Sequence, residues 1–251
     1  MKNELPELAE QAKAGSIPAM INMARIYHYG IGVDPDSDKA LKLLRQAVEA
    51  GHTGVNVLIG LVYYEQEDGP ETDQKAWDAF YAAYGVNEIS GYYLGKMLYE
   101  NRGKRYETDT DRLRDAAGFF KDLLEGDFFT IESGLYLWKI YSELGVRFEA
   151  ECYYYDAEQN LREPQDYNNW AYGLWEMGKY EQALPYIEKC MQMDGAQDDP
   201  NYLDTYAKIL YSLGRKQEAR ELFDKCVALY RQRDIRRMLR EEEEVITKRC
   251  V

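Results

Sequence analysis

The sequence predicts an all-α fold built from repeats, and three observations support this prediction. Apolar residues recur three and four positions apart, as in Met20, Met23, Ala24 and Tyr27, which is the periodicity of an amphipathic helix. No segment shows the two-residue alternation that is typical of strands. An alanine in the expected second helix of each repeat recurs at intervals of 36, 40, 34, 33 and 36 residues, at Ala40, Ala76, Ala116, Ala150, Ala183 and Ala219. This period predicts about six helix-turn-helix repeats.

The same phase locates the first helix and the turn of each repeat. The residues that fall in the middle of the first helices are Ala24, Gly60, Gly95, Trp138, Ala171 and Ala207. The glycines expected to provide the positive φ of a tight helix end are Gly30, Gly69, Gly103, Gly145, Gly178 and Gly214. Pro164 and Pro200 are 36 residues apart, and each is expected at the start of a helix because proline fits there.

Both ends of the chain are expected to carry an additional helix. The stretch ELAEQAKAG matches LLRQAVEAG with an offset of 36 residues, which predicts a lone second helix at the start. Near the other end, Ile235, Leu239, Ile246 and Cys250 lie roughly on one face of a charged helix, as expected of a terminal cap. The total is about fourteen helices.

Two parts of the chain resemble known helical repeats. Residues 164–231 resemble two tetratricopeptide repeats, in which WAYGLWEMGKYEQALPYIEKC is followed 36 residues later by YAKILYSLGRKQEARELFDKC. The segment AMINMARIYHYGIGVDPDSDKALKLLRQAVEAG resembles the Sel-like repeat through its alanine, small residue, tyrosine, GxGV, Asp, Lys-Ala and terminal Ala-x-x-Gly. The resemblance implies a right-handed α-α superhelix (solenoid). It would have Sel-like repeats over residues 1–130, tetratricopeptide repeats over 131–231 and a cap helix over 232–251, in one continuous stack.

The stretch YHYGIGVDPDSDKA, residues 27–40, has glycines and acids that could serve three purposes. As a phosphate cradle it lacks the GxGxxG and GxxxxGK[ST] spacings, and it follows a helix rather than a strand. As a calcium loop it begins with aspartates at alternate positions from Asp34, but a lysine stands at the sixth position and an arginine at the twelfth. We therefore expect a joint, in which Gly30 ends one helix and acidic or hydroxyl side chains of residues 36–38 cap the next.

The composition argues against several classes of function. The formal net charge is -14 at pH 7, so the chain is expected to repel nucleic acids and anionic membrane surfaces. No run approaches the roughly 18 apolar residues of a membrane span, and the start MKNELPELAE lacks the apolar core of a signal peptide, so a cytoplasmic location is expected. The four cysteines form no CxxC pair, which argues against a zinc site or a disulfide framework. We expect neither a metal nor a cofactor.

The sequence does not indicate catalysis. The two histidines, His28 and His52, lie in no HExxH motif, no GxSxG motif occurs, and no cysteine has a histidine close to it in the sequence. We therefore expect that the protein is not an enzyme. A small-ligand-binding or catalytic helical domain with an acidic pocket stays open as the alternative, because the chain has 45 aspartates and glutamates.

One basic cluster lies near the end of the acidic chain. It consists of Arg231, Arg233, Arg236, Arg237 and Arg240, and Glu241 to Glu244 follow at once. Docking of an acidic partner or nucleic-acid mimic is one interpretation. The interpretation that we favour is pairing of arginines with glutamates four residues on, Arg237 with Glu241 and Arg240 with Glu244, on a solvated helix.

The resemblance to tetratricopeptide repeats implies where a partner would bind. In such solenoids the first helix of each repeat lines a concave groove, so residues of equal phase form ladders along it. One position after the mid-helix residue the ladder is Arg25, Leu61, Lys96, Lys139, Tyr172 and Lys208, and three positions further on it is His28, Tyr64, Tyr99, Ser142, Trp175 and Tyr211. The candidate binding residues are Arg25, His28, Tyr64, Lys96, Tyr99, Lys139, Tyr172, Trp175, Lys208 and Tyr211.

These ladders favour a non-catalytic scaffold for protein–protein interaction. A groove with cations and aromatic edges suits an extended or helical peptide with acidic and apolar residues. Two alternatives stay open: Lys96 and Lys139 each have a glutamate four residues on that would neutralise them, and the aromatic residues would pack between repeats. A clamp for a C-terminal carboxylate is not indicated, since Asn168 has only Tyr172 beside it. We expect a monomer or a weak homodimer that associates through the end helices.

Overall fold

A computed structural model of the chain describes residues 5–66 and 68–232. Within these residues the regular structure is helical and contains no strand, so the predicted all-α fold class is confirmed. The chain forms two compact units, and the division between them falls after Asp122. We call the described residues up to 122 the N-terminal unit and residues 123–232 the C-terminal unit.

The N-terminal unit consists of one leading helix and three helix pairs. They are α1 (Leu5–Lys13), α2 (Ile17–Tyr29) with α3 (Ser37–Glu49), α4 (Asn56–Gln66) with α5 (Pro70–Ala83), and α6 (Glu88–Tyr99) with α7 (Asp109–Glu125). The last turn of α7 belongs to the C-terminal unit. The leading helix α1 confirms the prediction of an additional helix before the first pair.

The C-terminal unit consists of three helix pairs. They are α8 (Thr130–Glu143) with α9 (Arg147–Gln159), α10 (Pro164–Glu176) with α11 (Tyr180–Met191), and α12 (Pro200–Ser212) with α13 (Lys216–Gln232). Thirteen of the roughly fourteen expected helices therefore lie in the described part of the chain. The expected cap helix, with its pairs Arg237–Glu241 and Arg240–Glu244, lies outside the described residues.

The alanines that define the period are buried, and each lies on the second helix of its pair. Their exposed fraction is 4% or less at Ala40, Ala76, Ala116, Ala150, Ala183 and Ala219, which confirms the period. At the point where the two helices of a pair cross, which we call the crossing, the first helix supplies a small residue. A Cβ added to Gly60 on α4 would lie 2.5 Å from Cδ1 of Phe80 on α5, and one added to Gly95 would lie 3.0 Å from the ring of Phe120. The missing side chains let the helices approach closely.

In the fourth repeat the close approach occurs at a different residue. The sequence phase places Trp138 in the middle of α8, but this indole is half-buried and packs against Tyr154, with ring centroids 4.7 Å apart. One turn earlier, a Cβ added to Gly134 would lie 2.6 Å from that of Ala157 on α9. The crossing has moved because a tryptophan is too large for it, while glycine is small enough.

The stretch between α2 and α3 is a joint, as expected from its sequence. Gly30 ends α2 in the left-handed conformation, with a φ of 66°. The carboxylate of Asp36 accepts a hydrogen bond of 2.9 Å from the backbone N–H of Lys39 and thereby caps α3. The backbone N–H of Asp36 donates to the carbonyl of Tyr27 at 2.7 Å, which closes the loop. The residues that suggested an ion site serve instead to end one helix and begin the next.

The prolines agree with the prediction at two positions and depart from it at a third. Pro164 and Pro200 are the first residues of α10 and α12, as expected. Pro185, in contrast, lies inside α11 and deprives the carbonyl of Glu181 of its intrahelical donor. Both residues are exposed, so water can satisfy this carbonyl and the helix continues.

Several tyrosines join helices to one another inside the units. The fully buried Trp170 contacts the rings of Tyr154 and Tyr186, with centroids 5.1 Å and 6.0 Å away. The phenol of Tyr186 donates a hydrogen bond to the carboxylate of Glu158, which joins α11 to α9. The high tyrosine content therefore contributes substantially to packing within repeats and between them.

Candidate functional site

In the N-terminal unit, the first helices α2, α4 and α6 lie side by side, and we call the surface that they form the N-terminal first-helix surface. The Nε2 atom of His28 on α2 lies 2.7 Å from a carboxylate oxygen of Glu65 on α4. The phenol of Tyr64 on α4 donates a hydrogen bond of 2.8 Å to Glu100, which follows α6. Two of the predicted site residues thus connect one repeat to the next.

Arg102, in the loop after α6, belongs to this surface although the sequence analysis did not select it. Its guanidinium carbon lies 4.2 Å from the centroid of the Tyr64 ring, a distance typical of a cation–π contact. It donates hydrogen bonds to the carbonyl of Tyr64 at 2.9 Å and to the carboxylate of Asp73 on α5 at 2.8 Å. One side chain therefore holds together α4, α5 and the end of the third first helix.

A cleft of about 310 Å³ lies beside this network, lined by Tyr64, Gly69, Asp73, Glu100 and Arg102. Its charged groups are paired with each other, since Arg102 contacts both carboxylates, at 2.7 Å and 3.6 Å. Burial and the neighbouring Glu100 raise the pKa of Tyr64, so its phenol stays protonated. The contacts among the lining residues therefore join neighbouring helices of the repeat stack.

The other predicted residues of the N-terminal surface are half-buried. The Nζ atom of Lys96 lies 3.9 Å from Glu100, which is the neutralisation that their four-residue spacing predicted. Burial lowers the pKa of the Arg25 guanidinium. Tyr99 accepts a hydrogen bond of 2.8 Å from Arg112 through its carbonyl oxygen. Tyr64 and Lys96 meet at the same carboxylate, whereas Arg25 and Tyr99 lie elsewhere on the surface.

In the C-terminal unit, α8, α10 and α12 form the corresponding C-terminal first-helix surface. The rings of Tyr172 and Trp175 on α10 have centroids 5.4 Å apart. Lys208 on α12 extends over both rings, with Nζ 5.4 Å and 5.7 Å from their centroids, and it also pairs with Asp204 at 2.6 Å. The indole N–H of Trp175 donates to the hydroxyl of Ser212 at 2.9 Å. We call Tyr172, Trp175 and Lys208 the aromatic cluster.

The remaining predicted residues of the C-terminal surface differ in exposure. Tyr211 is 62% exposed, and Nζ of Lys216 lies 5.7 Å from its ring centroid. Lys139 lies half-buried on α8, one repeat away from the aromatic cluster. The structure therefore brings three of the five predicted C-terminal residues into direct contact.

One half-buried carboxyl group of the C-terminal unit lies at the start of α8. Burial raises the pKa of Glu132, and the charge of Asp166 on α10 acts in the same direction. Glu132 and Asp166 are 34 residues apart, so this repulsion between like charges acts between neighbouring repeats.

Two features are absent from the described residues, a cluster of metal-ligating side chains and a helix that could span a membrane. No group of three or more histidine, cysteine, aspartate or glutamate side chains there has the arrangement needed to hold a metal ion. None of the described helices combines the length and the apolar character required to cross a bilayer.

Comparison with known families identifies the repeats. Residues 17–52 match the model of the Sel1 repeat, and residues 167–232 match that of the tetratricopeptide repeat. The chain thus contains a segment of the Sel1 repeat type and a segment of the tetratricopeptide repeat type. The two matched segments lie in different units, the Sel1 repeat in the N-terminal unit and the tetratricopeptide repeats in the C-terminal one.

Solved structures with Sel1-like folds resemble this repeat protein at low sequence identity. The protective antigen c5321 of uropathogenic Escherichia coli, which displays an SLR fold, is 20% identical with a TM-score of 0.51, over 89% of this chain and 48% of that chain. The chain thus spans about half the length of c5321, and the likeness shows the fold alone. A Sel1 repeat protein from Oxalobacter formigenes is 21% identical over 49% of this chain and 98% of its own, with a TM-score of 0.33 that carries no conclusion. No curated protein sequence matches the chain.

Sel1 and tetratricopeptide repeats generally serve as protein-interaction scaffolds and are typically not enzymes.

The hydrogen bonds between repeats could have been predicted from a further set of residues at equivalent positions of the repeats. The residues that directly follow His28, Tyr64, Tyr99, Ser142, Trp175 and Tyr211 are Tyr29, Glu65, Glu100, Glu143, Glu176 and Ser212. Four of these six are glutamates, so acceptors recur in the same phase as the aromatic donors. Arg102 has no comparable signal, because it lies in a loop whose length differs between repeats.

Proposed function

We propose that the chain is a non-catalytic scaffold that binds a peptide or protein partner on its first-helix surfaces. The aromatic cluster of Tyr172, Trp175 and Lys208 is the observation that carries this proposal. Tyr211 on α12 and Lys139 on α8 extend the same surface to either side. In the N-terminal unit the corresponding contacts are Arg25, His28, Tyr64, Lys96 and Tyr99.

The aromatic cluster suits a binding role because its polar atoms already have partners within the protein. The indole N–H of Trp175 is bonded to Ser212, and Lys208 is paired with Asp204, so a partner would meet mainly those parts of the two half-buried rings that Lys208 does not cover. Aromatic residues provide much of the binding energy at protein interfaces, since they bury a large area with few rotatable bonds. A partner would therefore gain most by placing an apolar side chain against these rings.

The carboxylates near Lys96 and Lys208 affect which residues we expect in the partner. Lys96 and Lys208 each lie close to a carboxylate of the same helix region, Glu100 and Asp204. An acidic partner residue would have to compete with these carboxylates, so its contribution is smaller than the cationic ladder alone suggested. The partner that we propose has apolar residues as its main contacts and acidic residues at the edges.

Affinity capture from the protein's own cells, with wild type and a surface variant compared quantitatively, tests this proposal. In the Tyr172→Ser and Tyr211→Ser double variant, we expect recovery of the main partner to fall at least about tenfold, as for loss of interface hot spots. The dissociation constant of the purified pair, measured by calorimetry, should rise by a similar factor. Tyr81→Ser is the matched control, because Tyr81 is 61% exposed on the second helix α5.

Circular dichroism of both variants ensures that a loss of binding is not a loss of helix. Equal partner recovery from wild type and the double variant would show that the C-terminal first-helix surface is not the binding site. A loss that is equally large in Tyr81→Ser would point to the second helices instead.

The alternative, a small-ligand or catalytic domain with an acidic pocket, has one candidate place in the described structure. This is the cleft beside Arg102, where Asp73 and Glu100 face a guanidinium that both of them already contact. A thermal-shift screen with small cationic and neutral metabolites tests it. Stabilisation that is lost in Glu100→Gln would favour this alternative over the scaffold.

A further inference from the structure

A second exposed apolar surface lies on α9, away from the first helices. Phe148, Cys152 and Tyr155 are four and three residues apart, so they form one stripe along the helix. All three are exposed, Phe148 to 76% and Tyr155 to 61%. The opposite face of α9 packs into the C-terminal unit through Ala150 and Ala157. We call Phe148, Cys152 and Tyr155 the α9 stripe.

Carboxylates border the α9 stripe on both sides. With 100° between successive helical residues, Glu151 lies on one edge and Asp156 on the other, and both are exposed. A surface with aromatic residues between carboxylates is complementary to a segment that has apolar side chains beside arginines or lysines. The same carboxylates oppose direct pairing of two α9 helices, because like charges would face each other.

The chain itself contains a segment of this kind. In residues 233–240, Ile235, Met238 and Leu239 are three and four residues apart, and four arginines, at positions 233, 236, 237 and 240, surround them. These residues lie outside the described part of the chain, so the segment is defined by its sequence alone. No stretch of eight residues in this acidic chain has more than four arginines.

The distance that residues 233–240 would have to span to the α9 stripe of their own chain favours a contact between two molecules over a contact within one. The segment follows α13, which is the second helix two repeats after α9. Two helix spacings of about 8–10 Å each separate such helices, and an extended residue spans about 3.4 Å. Crossing that distance would use about five or six residues after Gln232, which are the arginine-bearing residues themselves. A segment from a second molecule does not have this constraint.

We propose that residues 233–240 of a second copy of this chain bind the α9 stripe. Each copy offers one stripe and one segment, so two copies form a two-fold symmetric dimer with two identical contacts. Each contact is small, which predicts a weak dimer that dissociates on dilution and at high salt. The surface involves second helices and the chain end, so it is separate from the first-helix surfaces proposed for the partner.

Analytical ultracentrifugation of the full chain over a range of concentrations tests this proposal. We expect wild type to dimerise at low salt. Reversing the stripe charges (Glu151→Lys with Asp156→Lys) and reversing the segment charges (Arg236→Glu with Arg237→Glu) should each weaken the dimer at least about tenfold. Glu181→Lys with Asp224→Lys is the matched control, because it changes the net charge of the C-terminal unit equally at exposed positions on α11 and α13.

Mixing the two reversed proteins provides the decisive measurement. The reversed stripe of one copy then faces the reversed segment of the other, and the remaining pair keeps its original charges. Both contacts are restored, so a heterodimer of near wild-type affinity should form. A wild type that stays monomeric, a dimer that tolerates either reversal, or a mixture that fails to associate would each overturn the proposal. Loss of dimer by the stripe variant alone would show that another segment occupies the stripe.

Discussion

The phenolic oxygen of Tyr64 lies 2.8 Å from the carboxylate of Glu100, one repeat further along the chain. His28 is related to Glu65 in the same way, at 2.7 Å. Because these pairs are 36 and 37 residues apart, they meet only when successive first helices stack in register. Residues marked by the sequence as candidate contacts therefore also hold the repeats together. Substitutions at Tyr64 would disturb both roles, whereas Tyr172 and Tyr211 offer cleaner tests of binding.

Arg102 is expected to stabilise the N-terminal unit. Arg102→Met removes the hydrogen bonds to Asp73 and to the Tyr64 carbonyl and leaves a half-buried carboxylate without its donor. We expect the free energy of unfolding to fall by about 1–3 kcal/mol, measured by urea denaturation. Arg105→Met in the same loop is the control and should change stability by less than about 0.5 kcal/mol, because Arg105 is exposed. Equal effects of the two substitutions would contradict this role of Arg102.

The crossing of α4 and α5 should tolerate no Cβ at Gly60. In Gly60→Ala the new methyl carbon would lie 2.5 Å from the ring of Phe80, which is itself fully buried. We expect a loss of about 1–3 kcal/mol of stability from overpacking. Gly118→Ala is the control: this glycine lies on the exposed side of α7, and a Cβ there meets no atom of the described residues within 4 Å. That substitution should stabilise the helix by about 0.5–1 kcal/mol, so the two changes have opposite signs.

The cysteines are expected to differ sharply in reactivity. Cys190 donates its thiol to the carbonyl of Pro164 at 3.2 Å, and Cys226 donates to Pro200 at the same distance. Burial raises the pKa of the Cys190 thiol to about 12 and raises that of Cys226 as well, whereas Cys152 is exposed. Titration of dilute native protein with a thiol reagent should therefore modify Cys152 rapidly and the two buried thiols slowly.

The Cys250→Ser background makes the thiol count unambiguous. One equivalent should react quickly in the native protein and three after denaturation. Rapid reaction of more than one thiol in the native state would show that the contacts between α10 and α11 or between α12 and α13 open readily. Slowing of the Cys152 reaction at high protein concentration would accord with dimerisation over the α9 stripe.

Glu132 predicts a dependence of stability on pH. Burial raises the pKa of this carboxyl in the folded protein, so the folded state binds more protons than the unfolded state between the two pKa values. The contribution of Glu132 to stability is therefore full below the unfolded pKa, about 4.3, and is lost as pH rises through the folded pKa. Glu132→Gln removes this penalty and should make the protein more stable than wild type at neutral pH.

The difference in stability between Glu132→Gln and wild type should grow as pH rises from the unfolded pKa, about 4.3, through the folded pKa and should be constant above it, as measured by urea denaturation across that range. Glu181→Gln on the exposed face of α11 is the control and should show no such growth. A pH-independent difference for Glu132→Gln would mean that the carboxyl is ionised in the folded protein without cost.

The helices and their period could be predicted from the sequence because both depend on local regularities. Alanines about 36 residues apart lie buried on the second helices, and Gly30, Gly145, Gly178 and Gly214 supply the positive φ that ends a first helix. The expectation was wrong at two positions: Asn101 rather than Gly103 has the positive φ directly after α6, and Gly69 precedes α5 as its N-cap. The packing around Trp138 could not be predicted from the period. Its phase is correct, but the crossing has moved to Gly134 because an indole cannot occupy it. Pro185 likewise needed the structure, since only its exposure explains why α11 continues.

The contacts among the candidate site residues could be predicted from the sequence in part. The ladders selected Tyr172, Trp175 and Lys208, which the structure brings into contact on neighbouring helices. Their role in binding stays a prediction. The pairing of Lys208 with Asp204 could have been predicted, because the two residues are four positions apart on one helix. The pairing of Lys96 with Glu100 was predicted from the same spacing. The position of Arg102 was not, because a loop residue has no helical phase and its partners come from three separate elements.

The sequence by itself determined that this chain consists of paired helices with a period near 36 residues, because helix formation and small-residue crossings depend on spacing along the chain. Only the tertiary structure decided which of the many tyrosines, lysines and glutamates satisfy one another and which face outward. That division depends on distances between residues one repeat apart, as between Tyr64 and Glu100 or Trp175 and Ser212. It also depends on burial, which leaves Phe148 and Tyr155 exposed although their helix packs through its alanines. Pairing and exposure are properties of neighbouring helices together, and no single helix encodes them.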